Sequence, residues 1–375
     1  MAKYKPKSIE CNNSLVPPIY VGEKQWPKEL LANKHCSITP FQWVNDFAVD
    51  VNETQSKSFH FDATGSLNED NLFTSFNKLP NWLADFYMVV CSDSNTSNMT
   101  FKFYYLTIYM NASRIAQINA VRKTHRSDQP NFYLLGIDSV SHAAFEYVMP
   151  ETNNFIKNVM NSTIFNLYNV VADGTTSNLL ALLTGRIEEE FHETRRGYAN
   201  SDTVDEFNWI WQELEKKLGY ASLYSEDMPS FGTFQYRLLG FRNIPTTHYL
   251  RPFLLKAKEY NWACLGRDLE HKILLYWTEV FVEKYSKYVG LSRIPWFAFT
   301  FLSEISHETN PSIKVYMDND VANNLRNLYN RKLSVEGLDN TILLLFADHG
   351  SRFSRYKGGI QVCILWLNIP QCFAY

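Results

Sequence analysis

Residues Asn340 to Gly350 read NTILLLFADHG, an apolar run that ends in Asp348, His349 and Gly350. A strand that delivers a carboxylate and an imidazole at its end is how an α/β sheet presents ligands at its carboxyl edge, and the pair suits a divalent cation. Asp and Gly after a strand also serve as ordinary turn residues, so the pattern needs company. Asn131 to Asp138, NFYLLGID, is a second apolar run that stops at an acid. A third segment, Val170 to Arg186, reads VVADGTTSNLLALLTGR and places a small polar loop before the run Leu179 to Leu183. Its leucine spacing predicts a short helix with Ser177 and Asn178 in the first turn and Gly185 as the C-terminal stop. Thr175 or Thr176 then sits at a helix N-terminus, where unpaired N–H groups and the helix dipole favour an anion. A hydroxyl there could attack phosphorus or sulfur. A threonine in that place also reads as a helix cap, and on these residues alone both readings stand.

A sheet and helices must bring these segments together. After Asp138 the chain alternates strand and helix signals, which predicts an α/β layer fold. A helix is expected after Ser139 through Ala143, Phe145 and Val148, and Pro295 to Leu302, PWFAFTFL, reads as a buried strand leading to Glu304 and His307. Asp202 to Leu218 carries Val204, Phe207, Ile210, Trp211 and Leu214 at helical spacing; Leu269 to Tyr288 and Asp318 to Leu333 are further amphipathic candidates. Residues 1–129 read differently, with short alternating or aromatic runs at Phe59 to Phe61, Phe86 to Val90 and Phe101 to Tyr109 and a loop at Asp93 to Ser97. That region is expected to be a β-rich accessory region, joined through the polar linker Lys123 to Pro130 to an α/β domain over 130–375.

Composition narrows the function classes. The chain has 375 residues, 45% hydrophobic and 20% charged, enough for one large domain or two smaller ones. A net charge of −3 without a basic stripe implies no nucleic-acid partner. Six cysteines, at 11, 36, 91, 264, 363 and 372, are an even set without a CxxC pair, which permits disulfides and opposes a zinc-finger framework. Acceptor motifs for N-glycosylation lie at Asn12, Asn52, Asn95, Asn98, Asn111 and Asn161. The start, MAKYKPKSIECNN, has no apolar leader, and no run is long enough to span a bilayer. P-loop, dinucleotide and Gly-x-Ser-x-Gly patterns are absent, and His192-Glu193 lacks the second histidine of a metalloprotease motif.

The three segments, in this order, resemble the alkaline phosphatase and sulfatase superfamily, and more closely the sulfatase-like family of domain of unknown function 229. The phrases that carry the resemblance are Gly136-Ile-Asp-Ser-Val-Ser141, Met149-Pro-Glu-Thr152, Asp173-Gly-Thr175 with Asn178, and Gly219 to Asp227. They continue with Thr247 to Pro252, Cys264-Leu-Gly266, Ser306-His307, and Asp348-His-Gly350 with Arg352. The resemblance implies an alkaline-phosphatase-like three-layer fold with a mixed, mostly parallel sheet. It implies a divalent metal held by Asp138, Asp348 and His349, with Thr175 bridging metal and substrate as nucleophile; zinc or manganese is expected first, magnesium or calcium as alternatives. Asn178 is expected to donate to a non-bridging oxygen. His307 is expected at the site, as a second-metal ligand, substrate contact or proton donor; Glu226-Asp227 and His248 with Arg251 are weaker pocket candidates.

The implied function is a metal-dependent hydrolase or transferase of phosphate esters or diesters, acting on a phosphorylated small molecule, a glycan or a lipid head group. Two departures matter. Thr175-Thr-Ser-Asn178 stands where sulfatases carry a Cys or Ser converted to formylglycine, which opposes that route to sulfate esters. Ser303 stands four residues before His307, where a two-metal phosphodiesterase carries an Asp. The chain also stops at Tyr375, with Gly358-Gly-Ile-Gln361 in place of an acidic phrase, so the α/β domain is expected to lack its C-terminal part. The alternatives are therefore a glycosylated, non-catalytic secretory or surface protein that keeps the fold, and a sulfoester hydrolase. The resemblance further implies a secretory, extracellular or membrane-anchored setting, with the anchor outside this chain.

Overall fold

A computed structural model describes residues 8–11, 16–51, 53–66, 71–72, 82–93, 99–122, 129–258, 263–286, 293–307, 310–330, 340–351 and 365–368. Most of the expected linker at Lys123 to Pro130 lies outside them, as do Arg352, Gly358 to Gln361, Cys363, Cys372 and the sequons at Asn12, Asn52, Asn95 and Asn98.

The first sheet is built from β1 (Ile19–Val21), β2 (Lys34–Asn45), β3 (Ala48–Asp50), β4 (Lys57–His60), β5 (Trp82–Asp93) and β6 (Met99–Leu106). Its order is β1-β6-β5-β2-β3, with β4 also paired to β2, and all pairings are antiparallel except β1 with β6. The expected β-rich character of this region is present. One face of the sheet packs onto helices that follow much later. Phe253 meets the rings of Phe41, Phe86 and Tyr104 at 5.8, 5.5 and 5.9 Å, and Trp277 meets Phe86 at 5.5 Å. Buried polar links complete the seam: His248 Nδ1 lies 2.7 Å from Asp85 Oδ2, and Asp46 accepts from the Tyr249 hydroxyl and Gln235 amide, each at 2.7 Å. His248 and Arg251 thus hold the first sheet in place: Arg251 Nε donates to the Asp46 carbonyl, while its Nη1 donates to the Pro229 carbonyl on the other side of the seam.

The second sheet has seven strands: β7 (Asn131–Ile137), β8 (Thr163–Ile164), β9 (Ala221–Glu226), β10 (His248–Tyr249), β13 (Trp296–Leu302), β14 (Thr341–Phe346) and β15 (Leu365–Asn368), with the small hairpin β11 (Cys264–Leu265) and β12 (Asp268–Leu269) apart from it. The order is β10-β9-β13-β7-β14-β15-β8; the first five strands are parallel, and β15 and β8 pair antiparallel. Parallel strands buried on both faces read as continuous apolar runs, which is why β7, β13 and β14 were legible as strands. Tyr133, Leu135, Ile137, Ala298, Leu302, Leu343 and Leu345 face a core shared with helices His142–Val148, Pro150–Asn158, Glu270–Ser286 and Asp318–Asn330. Leu134, Phe297, Phe299, Phe301 and Phe346 face the opposite core, with Leu179, Leu180 and Leu183 of helix Thr175–Thr184. The result is the three-layer α/β arrangement that was expected.

One helix is shorter than its periodicity predicts. Over Asp202 to Leu218 regular helix begins only at Ile210, because Phe207 takes extended backbone (φ −68°, ψ 146°) and stacks its ring 3.8 Å from Phe191. Aromatic packing outweighs local propensity there.

Register carries the site. Phe346 pairs with Gly136, and Leu302 with Ile137, so Asp348 and Ser303 come level with Asp138 at one sheet edge. Gly136 lets the two neighbouring strands keep their rings over β7: a Cβ there would lie 2.5 Å from the Phe301 ring and 2.7 Å from that of Phe346. Gly136→Ala is expected to destabilise the protein by about 1–3 kcal/mol, the range for overpacking a filled core. The urea midpoint measures it, and an unchanged midpoint refutes this account of the layer.

Candidate active site

Asp138 leaves β7, and Asp348 and His349 leave β14. The ligand atoms of these three side chains all lie within 4.8 Å of one another, and all three residues are buried. Backbone donors shape the pair of acids: Asp348 Oδ1 accepts from Ser139 N at 3.1 Å and His349 N at 2.8 Å, and Asp138 Oδ1 accepts from the Ser139 hydroxyl at 2.8 Å. Ser139 takes positive φ (62°), which turns the chain out of β7 while aiming its N–H at Asp348. Burial raises the Asp138 carboxyl well above the usual range, and the neighbouring Asp348 charge adds to it. Two carboxyl groups so placed call for a proton or a cation between them.

His349 turns Nε2 toward the two carboxyl groups. Its Nδ1 lies 2.9 Å from the Gly350 carbonyl, so Nδ1 carries the proton and Nε2 presents its lone pair. Nε2 is 3.2 Å from Asp348 Oδ2, 3.8 Å from Asp138 Oδ1 and 3.2 Å from Thr175 Oγ1. Two carboxylates, one imidazole and one hydroxyl form a donor set suited to a divalent ion such as zinc or manganese.

Thr175 opens helix Thr175–Thr184. The N-cap is Gly174 (φ 99°), no side chain caps this end, and Gly185 closes the other end in left-handed conformation. The hydroxyl of Thr175 is thereby released from the capping role, and the two threonines part company: Thr175 faces His349, whereas Thr176 donates to the Thr233 carbonyl at 2.9 Å. Asn178 sits one turn on, and its amide clamps the preceding loop. Oδ1 accepts from Val171 N at 2.8 Å and Ala172 N at 3.3 Å, and Nδ2 donates to the Ala172 and Gly174 carbonyls, both at 2.9 Å. Its donors are directed at the loop that delivers Thr175. His307 lies on the turn after β13, its N–H bonded to the Ser303 carbonyl at 2.8 Å, and it stands outside the three-residue ligand group.

The family described as "Protein of unknown function (DUF229)" matches residues 4–361. The chain belongs to this family. Solved structures with a similar course of chain include an alkaline phosphatase superfamily protein from Vibrio parahaemolyticus, 15% identical over 70% of each chain with a TM-score of 0.44. The lipoteichoic acid synthase LtaP from Listeria monocytogenes is 10% identical, with 68% of this chain and 72% of that one covered and a TM-score of 0.44. A putative sulfatase from Bacteroides thetaiotaomicron is 13% identical over 64% and 65%, with a TM-score of 0.41. A comparison with curated protein sequences finds no significant match.

In this DUF229 protein the sheet edge carries a second group of acids that sequence reasoning did not join into a cluster, although it named Asp227 and Glu304. Asp227 follows β9 and accepts from Ser303 N at 2.7 Å and Glu304 N at 3.2 Å. Glu270, at the start of its helix, pairs with Lys258, whose Nζ is also 3.5 Å from Glu304 Oε2. No motif joins these four residues; only the Glu226-Asp227 phrase hinted at them. Burial, opposed by Lys258, pushes Glu270 up to about 7, and Asp227 is raised by burial and by the charges of Glu270 and Glu304. A carboxyl with its folded pKa raised binds its proton more tightly in the native state, so native stability is greatest below the unfolded value, near 4.5, and falls as pH rises toward about 7. Glu270→Gln is expected to flatten that decline by on the order of 1–3 kcal/mol. Urea unfolding at pH 5 and at neutral pH measures it, and a decline as steep in the variant as in wild type refutes the assignment.

Proposed function

We propose that this DUF229 protein is a metal-dependent hydrolase or transferase of phosphate esters, with Thr175 as nucleophile. The observation that carries the reading is the approach of Thr175 Oγ1 to His349 Nε2, at 3.2 Å, beside the buried Asp138 and Asp348. Asp138, Asp348, His349 and Thr175 would hold a divalent cation, which would offset the charge of the anionic substrate and lower the pKa of the hydroxyl. No side chain caps the helix at Thr175, and the N–H groups of a first helical turn lack intrahelical partners, which suits binding of the phosphoryl oxygens. Asn178 fixes the approach loop so that the hydroxyl is held in place before substrate arrives. Attack by Oγ1 forms a P–O bond to the threonine and breaks the ester bond. The departing oxygen is protonated, a role the proposal gives to His307. Water then releases phosphate, or an acceptor hydroxyl takes the phosphoryl group.

The test uses purified protein with manganese or zinc on chromogenic phosphate monoesters, diesters and sulfates. Thr175→Ala is expected to lower kcat/KM at least about a thousandfold, the scale seen when a nucleophile is removed, and chelation should abolish turnover. Turnover of phosphate esters that is the same in Thr175→Ala, or that survives chelation, sinks the reading; preference for the sulfate substrate redirects it to sulfoester hydrolysis.

The proposal extends to a secretory setting. It is supported by two disulfides, Cys11–Cys264 and Cys36–Cys91, and by Asn111 and Asn161, whose sequons are exposed. Asn111 Oδ1 accepts from Arg114 N at 3.1 Å, which leaves Nδ2 available for a glycan. Protein secreted from animal cells is expected to shift in mobility on deglycosylation, with a smaller shift for Asn161→Gln and Asn111→Gln; no shift in any form refutes it.

A further inference from the structure

The turn that follows β9 borders the nucleophile helix and is held from beneath. Glu226 accepts from Thr233 N at 2.7 Å, from the Thr233 hydroxyl and from the Tyr224 hydroxyl, all within the interior. Thr233 in turn accepts from Thr176, and Arg237 donates to Ser177 Oγ at 3.2 Å, so this segment contacts the first turn of the helix that carries Thr175. Its outward side is aromatic. Phe231 and Tyr236 are 51% and 62% exposed, with ring centroids 4.9 Å apart. Because the two rings lie together, they form one continuous apolar contact surface.

Cations flank these rings. Residues 194–196 run beside 237–239, with Arg196 N bonded to the Arg237 carbonyl and Leu239 N to the Thr194 carbonyl. Arg237 is paired with Glu188 and Arg195 with Glu193. Arg196 differs from both. Its guanidinium lies 4.4 Å over the exposed Phe47 ring and its Nε donates to the Gln235 carbonyl at 2.9 Å, while no carboxylate among the described residues is in ion-pair reach. Stacking and one bond fix the plane of the fork and leave its other N–H groups facing solvent.

We propose that this rim, formed by Phe231, Tyr236, Phe47 and Arg196, is the platform for an oligosaccharide bearing sulfate or phosphate groups. An aromatic face accepts the C–H face of a sugar ring, and a fixed guanidinium fork matches a tetrahedral oxyanion. The apolar groups are rings interspersed with arginines and glutamates, which is unsuited to insertion among acyl chains, where contiguous apolar area is needed. The segment that bears Phe231 and Tyr236 contacts the helix of Thr175 through Thr233 and Arg237, which makes the phosphate-bearing form of the oligosaccharide the substrate of the proposed chemistry, and in that respect the inference rests on it.

The experiment measures binding to the full chain carrying Asp348→Asn, so that occupancy is read without turnover. The probes are a fluorescent sulfated hexasaccharide, its unsulfated counterpart, and phosphatidylglycerol vesicles. The sulfated probe is expected to bind best, and Tyr236→Ala and Arg196→Ala should each weaken it at least about fivefold, with Arg196→Ala also reducing the dependence on salt. Leu167→Ser, at a 90% exposed position on another segment, should leave binding unchanged, and thermal midpoints confirm that the variants fold. Absence of binding, preference for vesicles, or equal affinity in the rim variants overturns the proposal. Hexasaccharide binding without phosphate-ester turnover keeps the platform and removes the catalytic reading; turnover without binding does the reverse.

Discussion

The register of β7 against β14 is the constraint on which the site depends. With Phe346 opposite Gly136, the residues two positions beyond each partner are both aspartates, and both are buried. Shifting one strand by a single residue would turn Asp348 to the other face of the sheet and remove the pair. That register is held by the cores on both faces, by stacked rings of Phe301 and Phe346 6.4 Å apart across β7, and by a glycine between them. Two like charges at one buried edge oppose folding unless a proton or cation joins them, so the packing that builds the sheet sets the electrostatics of the pair.

The remaining parts of the site are arranged around that pair by backbone geometry. Ser139 at positive φ gives its N–H to Asp348, the Gly350 carbonyl sets the imidazole tautomer, and Gly174 rather than a side chain caps the helix that begins at Thr175. Asn178 contributes by holding four backbone groups of the approach loop, a positioning role with the amide facing inward. The Thr175 hydroxyl, the proposed nucleophile, is thus placed by backbone geometry and by an amide that faces the loop.

The first sheet belongs to the same mechanical unit. Its aromatic face packs on Phe253 and Trp277, and Asp46 and Asp85 reach across to Tyr249, Gln235, Arg251 and His248. Through Gln235 that seam reaches the segment bearing Phe231 and Tyr236, so the outer rim and the buried site are braced by one set of contacts.

The amino-acid sequence by itself determined the elements and their chemistry. Continuous apolar runs ending at Asp138 and Asp348 declared buried parallel strands with acids at their ends, and the leucine spacing after Thr175, closed by Gly185, declared a helix. These signals are local, so one chain suffices to show them. Tertiary structure alone decided the rest. It separated Thr175 from Thr176, turned Asn178 to the loop, made His248 and Arg251 braces, and gathered Asp227, Lys258, Glu270 and Glu304 from four segments. It also delayed the start of regular helix to Ile210, because stacking of Phe207 on Phe191 prevailed before it. Such outcomes depend on which distant side chain arrives opposite, and no period or motif along the chain records that.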